Sequence, residues 1–450
     1  MAKRPGGLIY WVDEKPPGFE LAVLAVQHIF LMSSTLVLPV VLVTEIGGGF
    51  DQVRAVVALT MIACGLGTMV QAMRWHGIGS GFLCPNLCGP NFFGASVEAA
   101  WLGGLPLMRG MTIAAGLVEA LFARVVHRLG FLFPPEITGL VVLMVAAGIV
   151  PLGASKFLGI NYPGEPIRGT NLLAATLTLM VMVGINVWGK GKLKLYGVLI
   201  GMAFGYLICF LLGLISSVQF HDVMAVGWVA VPQFDGMWQF SFRWSLLPAW
   251  AIVSICGALK SFGNLILCEK INDAQWSRPD IRRIGDGLMA DAIAVTASGV
   301  FGGVASDTSA GNVALSNATG ATSRWIGFGA GGLFILLGFS PKLSAVLSIM
   351  PTPVMGAIIV FVASFMIVSS LQIILSSKPD TRKTFVIGIP LIFGLSLQAL
   401  PELYAQIVPW LRPLFGSALT LATVLAVVMN LLLHVGSGKR AEVSTVSAEG

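Results

Sequence analysis

Two glycine-rich stretches decide the fold of this chain: HGIGSGFLCPNLCGPNFFGAS at residues 76–96 and GGVASDTSAGNVALSNATGATSR at residues 302–324. Each stands between long apolar runs, and each is too long and too rich in glycine to be an ordinary loop. Without its glycine-rich part, each stretch is about as long as half of a membrane-spanning helix. We therefore expect both to enter the membrane as broken half-helices, forming the third and tenth membrane segments.

The composition of the whole chain is that of a helical membrane protein. Of its 450 residues, 56% are hydrophobic and only 11% are charged, whereas soluble domains carry about 25% charged residues. Apolar runs long enough to cross a bilayer lie at 21–43, 53–73, 107–127, 137–153, 171–188, 195–217, 246–267, 287–304, 325–347, 354–375, 383–399 and 409–434. With the two half-helices, the sequence predicts an all-α polytopic membrane protein of fourteen transmembrane segments.

The Lys and Arg residues divide unequally between the two sides that fourteen segments define. Of the 27 basic residues, nineteen fall on the side that holds both termini, seven fall on the opposite side, and Lys260 falls inside a segment. By the positive-inside rule, both termini are expected in the cytoplasm and the protein in the plasma (inner) membrane. The basic residues occupy short gaps between apolar runs, which argues against a nucleic-acid partner.

The two halves of the chain resemble each other. PPEITG at 134–139 and PTPVMG at 351–356 each precede an apolar run. Seven segments per half is an odd number, so the second copy must be inverted in the membrane. Inverted repeats with a broken helix in each copy are typical of alternating-access transporters. The predicted divisions are a lead-in at 1–19, repeats at 20–218 and 245–435, a connection at 219–244 and a tail at 436–450.

Ionisable residues at membrane depth are candidates for function because a charge in the bilayer is costly. Lys260 lies mid-helix in ICGALKSFGNLIL, where it either contacts substrate or pairs internally with Asp291 or Asp307. We assign coupling or gating roles to His28, its neighbour Gln27, Asp291 and Asp307. A proton or sodium ion is the expected coupling ion, and no other cofactor is expected.

Other polar and sulfur-containing residues carry weaker signals. Glu119 and Glu136 lie nearer to helix ends and are assigned interfacial or structural roles. Cys84 and Cys88 are four residues apart but have no His or carboxylate beside them, so no metal site is expected. No nucleophile–base pair is evident, which disfavours a membrane enzyme.

Motifs in three helices resemble the nucleobase–ascorbate transporter family, also called nucleobase/cation symporter 2, which includes xanthine and uracil permeases. LAVQHIFLMSSTLVLPVVL is similar to the family's Gln-His segment with its V-x-P ending, and GSGF at 79–82 resembles a glycine-serine run before an aromatic residue. GNVALSNATG at 311–320 resembles the family signature at Asn312, Thr319 and Gly320. Gly311 and Ala314 depart from that signature. The resemblance covers about residues 19–435.

This resemblance implies an architecture and a binding site. It implies a core domain of helices 1–4 and 8–11, a gate domain of helices 5–7 and 12–14, and a homodimer in the lipid bilayer. Phe82 is the aromatic residue that would stack on a base. The substrate-binding residues that we expect are Phe82, Lys260, Ser309, Ala310, Gly311 and Asn312.

The eighth helix departs from the family. The family usually has a carboxylate three residues before a glycine, and this chain has Lys260-Ser-Phe-Gly263-Asn264. An ammonium group only donates hydrogen bonds, so we expect a planar heterocycle that is anionic, such as a urate-like or carboxylated ring, carried by ion-coupled alternating access. The alternatives are an uncoupled uniporter or channel for the same ligands, and a proton symporter of neutral purines or pyrimidines.

Overall fold

The computed structural model describes residues 3–129, 134–162, 164–190, 197–233, 236–277, 279–375, 380–404 and 418–435. These ranges are mostly helical, and the helices are α1 (Gly18–Ser33), α2 (Val37–Glu45), α3 (Phe50–Ala72), α4 (Pro90–Leu129), α5 (Pro135–Phe157), α6 (Gly169–Trp188), α7 (Gly197–Leu211), α8 (Ser217–Ala225), α9 (Leu247–Asn272), α10 (Ile281–Phe301), α11 (Ala310–Thr319), α12 (Arg324–Gly338), α13 (Pro341–Ser348), α14 (Thr352–Ile374), α15 (Thr381–Ala399) and α16 (Ala418–Val435). Two short strands are β1 (Asn86–Cys88) and β2 (Ser306–Thr308).

The predicted apolar runs coincide with these helices. In the described ranges, eight helices are long and apolar enough to span a membrane, and α12 with α13 forms a further candidate bent by 74°. The protein is therefore an all-helical, multi-pass membrane protein, and its elements are consistent with fourteen segments. The run predicted at 409–434 is described only from Ala418 onward, and the tail at 436–450 lies outside the described residues.

Glycines with a left-handed backbone set two helix ends. The run predicted at 195–217 ends as a helix at Leu211, because Gly213 has φ 68° and the Leu214 N–H donates to the Cys209 carbonyl at 2.8 Å. Within α4, Gly104 has φ 68° and separates a short first half from a second half that begins near Leu105. This bend makes the first half of α4 the half-helix of the third segment. The sequence predicts this half-helix at 80–90, which is wrong, because residues 80–89 are not helical and include β1, and the helix begins at Pro90.

The two glycine-rich stretches meet in the interior of the molecule. β1 pairs antiparallel with β2, and Leu87 lies opposite Asp307 in the register. Each strand runs directly into a half-helix, β1 into the first half of α4 and β2 into α11. The pairing satisfies backbone groups that a broken helix would otherwise leave without partners in a medium that has no water.

Helix packing falls into two groups. In the first group, α3 packs against α12 and α10, and α4 packs against α10 and α9. In the second group, α5 packs against α14 and α16, α6 packs against α7, and α15 packs against α16. The half-helices and both strands belong to the first group.

The crossing of α3 and α12 depends on two glycines. A Cβ atom added at Gly65 would lie 2.6 Å from the Gly331 carbonyl oxygen, and one added at Gly331 would lie 2.5 Å from the Gly65 carbonyl oxygen. Such reciprocal contact brings the two backbones together, which is how membrane helices gain packing energy. Gly332, the next residue, has no atom within 4 Å of its added Cβ.

We expect Gly331→Ala to lower stability by about 1–3 kcal/mol, because the methyl group forces two packed backbones apart. The measurement is the midpoint of thermal unfolding of the purified protein in detergent. Gly332→Ala is the matched control and should leave the midpoint unchanged. Equal midpoints for the two variants would contradict the assigned close crossing.

Candidate functional site

The two half-helices begin next to each other, at the ends of the paired strands. The first half of α4 begins at Pro90, a residue that has no N–H to leave unpaired. α11 begins at Ala310, and the Ser309 hydroxyl caps it by accepting from the Asn312 N–H at 3.2 Å. The Ala310 and Gly311 N–H groups fall in the first turn of α11, where no intrahelical acceptor exists.

A cavity of about 1020 Å³ lies against these half-helix ends. Its volume is at the upper end of the range of about 300–1,000 Å³ that is typical of small-molecule sites. The first helix group contributes Lys260, Asn91 and Asn264 to the lining, and the facing wall of α5 and α14 is mostly apolar, with the hydroxyl groups of Thr138 and Ser369. The lining includes Pro90, Asn91, Leu259, Lys260, Gly263, Asn264, Ala310, Gly311, Thr138, Val142, Phe361, Phe365 and Ser369.

Lys260 is the charged side chain in this lining, and its partner lies behind it. The Lys260 Nζ is 2.7 Å from the Asp307 Oδ2, and the two side chains are 28% and 0% exposed. The pair is the internal ion pair that the sequence left open for Lys260, with Asp307 rather than Asp291 as its partner. The ammonium therefore faces the cavity while its counter-charge is buried.

Asn91 shares the same carboxylate oxygen. Its Nδ2 donates to the Asp307 Oδ2 at 2.6 Å. A carboxylate only accepts hydrogen bonds, so the amide nitrogen must point toward Asp307 and the amide oxygen away from it. At the cavity wall, Asn91 therefore adds an acceptor to the donors of Lys260 and of the α11 N-terminus.

His28 and Asn312 form a second buried pair. The His28 Nδ1 is 2.7 Å from the Asn312 Oδ1, while the Asn312 Nδ2 donates to the Ser309 Oγ at 2.9 Å. Because Asn312 presents its oxygen, His28 donates from Nδ1. His28 is 1% exposed and Asn312 is 0% exposed. The pair ties α1 to the start of α11, and neither residue lies in the cavity lining.

Asp291 is the end of a hydrogen-bond chain that starts at the cavity. The Asn264 Nδ2 donates to the Thr308 Oγ1 at 2.9 Å, and Thr308 bonds to the Ser261 hydroxyl at 2.6 Å. Ser261 donates in turn to the Asp291 Oδ2, and Asn86 donates to the Asp291 Oδ1 at 2.7 Å. Two hydroxyl groups thus connect the buried Asp291 carboxylate to the cavity wall by hydrogen bonds.

The sequence placed Glu119 nearer to a helix end, but the structure buries it beside Asp291. Glu119 is 1% exposed, and its carboxyl is close enough to the Asp291 carboxyl for the two groups to interact electrostatically. Neither Glu119 oxygen has a donor among the described residues. Its burial results from the packing of α4 against α10, which no pattern within the sequence of α4 indicates.

Two further residues singled out from the sequence lie away from the cavity in this conformation. Phe82 is 1% exposed, and the Arg283 guanidinium lies 3.6 Å from its ring centroid, where a ligand would otherwise stack. Its role in stacking on a base stays a prediction. Gln27 is half-buried, and its Oε1 has no donor among the described residues. In those residues, no group of three His, Cys, Asp or Glu side chains could hold a metal ion.

Comparisons with known proteins converge on membrane permeases. The sequence profile of the Permease family (Xan_ur_permease) matches residues 19–403. The xanthine permease XanP of Escherichia coli is 24% identical over 94% of this chain and 94% of its own length. The uric acid permease PucJ of Bacillus subtilis is 26% identical over 94% of this chain and 95% of its own.

Solved structures agree on the fold. The transmembrane domain of the cyanobacterial bicarbonate transporter BicA matches with a TM-score of 0.58 at 11% sequence identity. The match covers 94% of this chain and 99% of that domain. At this identity the likeness concerns the fold alone, and it extends across both helix groups.

Proposed function

This chain belongs to the Permease family that the profile describes, so it is a membrane transporter rather than an enzyme, and we propose that it carries purine bases across the membrane. Relatives named for xanthine and uric acid support this substrate class. The observation that carries the proposal is the cavity at the two half-helix ends, where Asn91, Lys260 and Gly311 are close together.

The groups at this wall suit the edge of an oxopurine ring. The ring carbonyl oxygens need donors, which the Lys260 ammonium and the first N–H groups of α11 supply. The ring N–H groups need acceptors, which the Asn91 and Asn264 amide oxygens supply. The amide nitrogens of these two residues already donate to Asp307 and Thr308. The apolar side chains of Phe361 and Phe365 would cover the ring from the facing wall.

The first prediction concerns uptake and its block at Gly311. An added Cβ there meets only the Ser309 Oγ at 3.8 Å, so Gly311→Leu should fold and fill the site. We expect proteoliposomes with the wild-type protein to take up labelled xanthine or hypoxanthine, and Gly311→Leu to lower the rate by at least about tenfold. Gly332→Leu, at a glycine with no close neighbour, is the control. Absence of purine uptake by the wild type would overturn the proposed function.

Alternating access is the mechanism that we propose for this transport. The cavity reaches Pro134, Ile281 and Ile373, at the helix ends that the basic residues predict to be cytoplasmic. At the opposite end, the Lys156 Nζ of α5 is 2.6 Å from the Glu45 Oε1 of α2, with the two side chains 4% and 16% exposed. We propose that this pair closes the far side while the cavity faces the cytoplasm.

Because α2 packs against α3 and α4, it belongs to the first helix group, and the same ion pair therefore joins the two groups. We propose that these groups are the core and gate domains, which move relative to each other. A carrier must break and remake such contacts in each cycle, whereas contacts within one domain persist. Asp13 and Arg324 provide a comparison inside the first group, since the Asp13 Oδ1 is 3.0 Å from the Arg324 Nε.

A short thiol-specific crosslinker between Glu45→Cys and Lys156→Cys should abolish transport and preserve purine binding, because it holds the far side closed. Binding to detergent-solubilised protein and uptake into proteoliposomes are the two measurements. The same crosslinker between Asp13→Cys and Arg324→Cys is the control and should leave transport intact. Transport that survives complete crosslinking of Glu45 to Lys156 would refute the proposed movement.

Proton coupling is supported by the two facing carboxyl groups. Asp291 and Glu119 are both nearly inaccessible, and no described cation lies within 4 Å of either carboxylate. Two neighbouring charges without a counter-ion are unfavourable inside a membrane. We propose that the pair holds one proton and that the chain from Asn264 through Thr308 and Ser261 links this proton to ligand binding. Asp307 and His28, the other two coupling candidates from the sequence, are less suited to hold this proton. Asp307 pairs with Lys260, and His28 is hydrogen-bonded to Asn312.

Glu119→Gln tests this coupling because the amide mimics a carboxyl that is always protonated. We expect uptake to lose its acceleration by an inward proton gradient, while substrate exchange at equal pH continues. Glu98→Gln, the same change in the first half of α4, is the control. Acceleration that persists in Glu119→Gln and in Asp291→Asn would exclude this pair, and an insensitive wild type would favour the uncoupled uniporter.

Two further proposals concern the location and the assembly of the protein. We propose a plasma (inner) membrane location with both termini in the cytoplasm, supported by the uneven distribution of Lys and Arg residues. We also propose a homodimer, as the family resemblance implies.

A further inference from the structure

Asp307 lies behind the cavity wall and is held in place by the pairing of the two strands. It lies in β2 opposite Leu87 of β1, and its side chain is fully buried. Gly89 makes room for it, because a Cβ atom added there would lie 2.8 Å from the Asp307 Cβ. The carboxylate is thus held between the two half-helices by backbone pairing from both halves of the chain.

One oxygen of this carboxylate serves two cavity residues. The Asp307 Oδ2 accepts from the Lys260 Nζ at 2.7 Å and from the Asn91 Nδ2 at 2.6 Å. The first contact cancels the charge of Lys260 at the cavity wall. The second keeps the Asn91 amide oxygen turned away from Asp307, where it can accept from a ligand N–H.

Without Asp307 the wall would have a different chemical character. Lys260 would present an uncompensated ammonium, which favours an anion by charge and by charge-assisted hydrogen bonds. Asn91 would also be free to turn its amide and offer a donor instead of an acceptor. Both changes would disfavour a neutral ring that carries its own N–H groups and favour an anionic ring of the same size.

We propose that Asp307 determines specificity: by neutralising Lys260 and fixing the Asn91 amide, it adapts an ammonium-containing site to purines in their neutral form. This inference rests on the proposed function, since it concerns which purines the site prefers. It reverses the expectation that Lys260 by itself selects anions. Asp307 acts through its two partners and need not touch the ligand.

The test compares two purines of similar size, hypoxanthine, which is neutral at pH 7, and urate, which is an anion there. Their dissociation constants are measured by calorimetry on purified protein. We expect Asp307→Asn to shift the ratio of the two constants toward urate on the order of tenfold, because it leaves the Lys260 charge unbalanced. The double variant Lys260→Met with Asp307→Asn removes the unbalanced charge and should return the ratio to within about threefold of wild type, the remaining difference being that of the Asn91 amide, which Asp307 no longer fixes. Asp286→Asn removes a carboxylate from α10 outside the cavity lining and is the matched control.

The outcomes distinguish a failure of the role of Asp307 from a failure of the proposed function. Wild-type protein that binds purines, combined with an unshifted ratio in folded Asp307→Asn, overturns the role of Asp307 and leaves the proposed function intact. Wild-type protein that binds neither purine overturns both. If Asp307→Asn does not fold, the double variant decides: a ratio that departs from wild type by more than about tenfold overturns the proposal, and a ratio within threefold supports it.

Discussion

The pairing of β1 with β2 is the constraint on which the rest of the site depends. A helix that stops inside a membrane leaves backbone N–H and C=O groups without water to bind them, and each unpaired group is costly. The two interrupted segments satisfy one another through the pairing of Leu87 with Asp307 and its neighbours. Because the strands pair, the half-helices that follow them must begin at nearly the same place. The polar cavity wall is therefore a consequence of the pairing of β1 with β2.

The same requirement for a partner applies to the charged side chains. Lys260, Asp307, Asp291 and Glu119 all lie in the helix group that contains the strands, and none lies on the facing wall formed by α5 and α14. A buried charge is tolerable only when a partner or a proton compensates it. Lys260 and Asp307 compensate each other directly. Among the described residues, no cation lies within 4 Å of the Asp291 or the Glu119 carboxyl group. This difference is the reason why we propose a proton for these two groups and a ligand contact for Lys260.

Much of the fold could be predicted from the sequence, because apolar runs and glycine-rich interruptions are local signals. The presence of two interrupted segments and the choice of Lys260 as a candidate came from such signals. The partner of Lys260 did not, since the choice between Asp291 and Asp307 depends on strand register, which no local pattern specifies. Glu119 was assigned an interfacial or structural role because it lies nearer to the end of the apolar run at 107–127. Its burial depends on packing between α4 and α10, which the sequence of α4 alone does not reveal.

The departure of this chain from its family at Lys260 has to be considered together with Asp307. At the position of Lys260, the resemblance leads one to expect a carboxylate, and the residue found there has the opposite charge. The structure places a carboxylate 2.7 Å away, on β2 instead of α9. The half-helix ends of this chain therefore have a negative charge in the layer behind the cavity surface, next to the positive charge of Lys260. The position of Lys260 taken alone indicates a cationic wall, whereas the three-dimensional arrangement pairs that charge with a carboxylate. Substrate preference should follow the summed charge and the orientation of the donors at the wall, and both of these depend on Asp307.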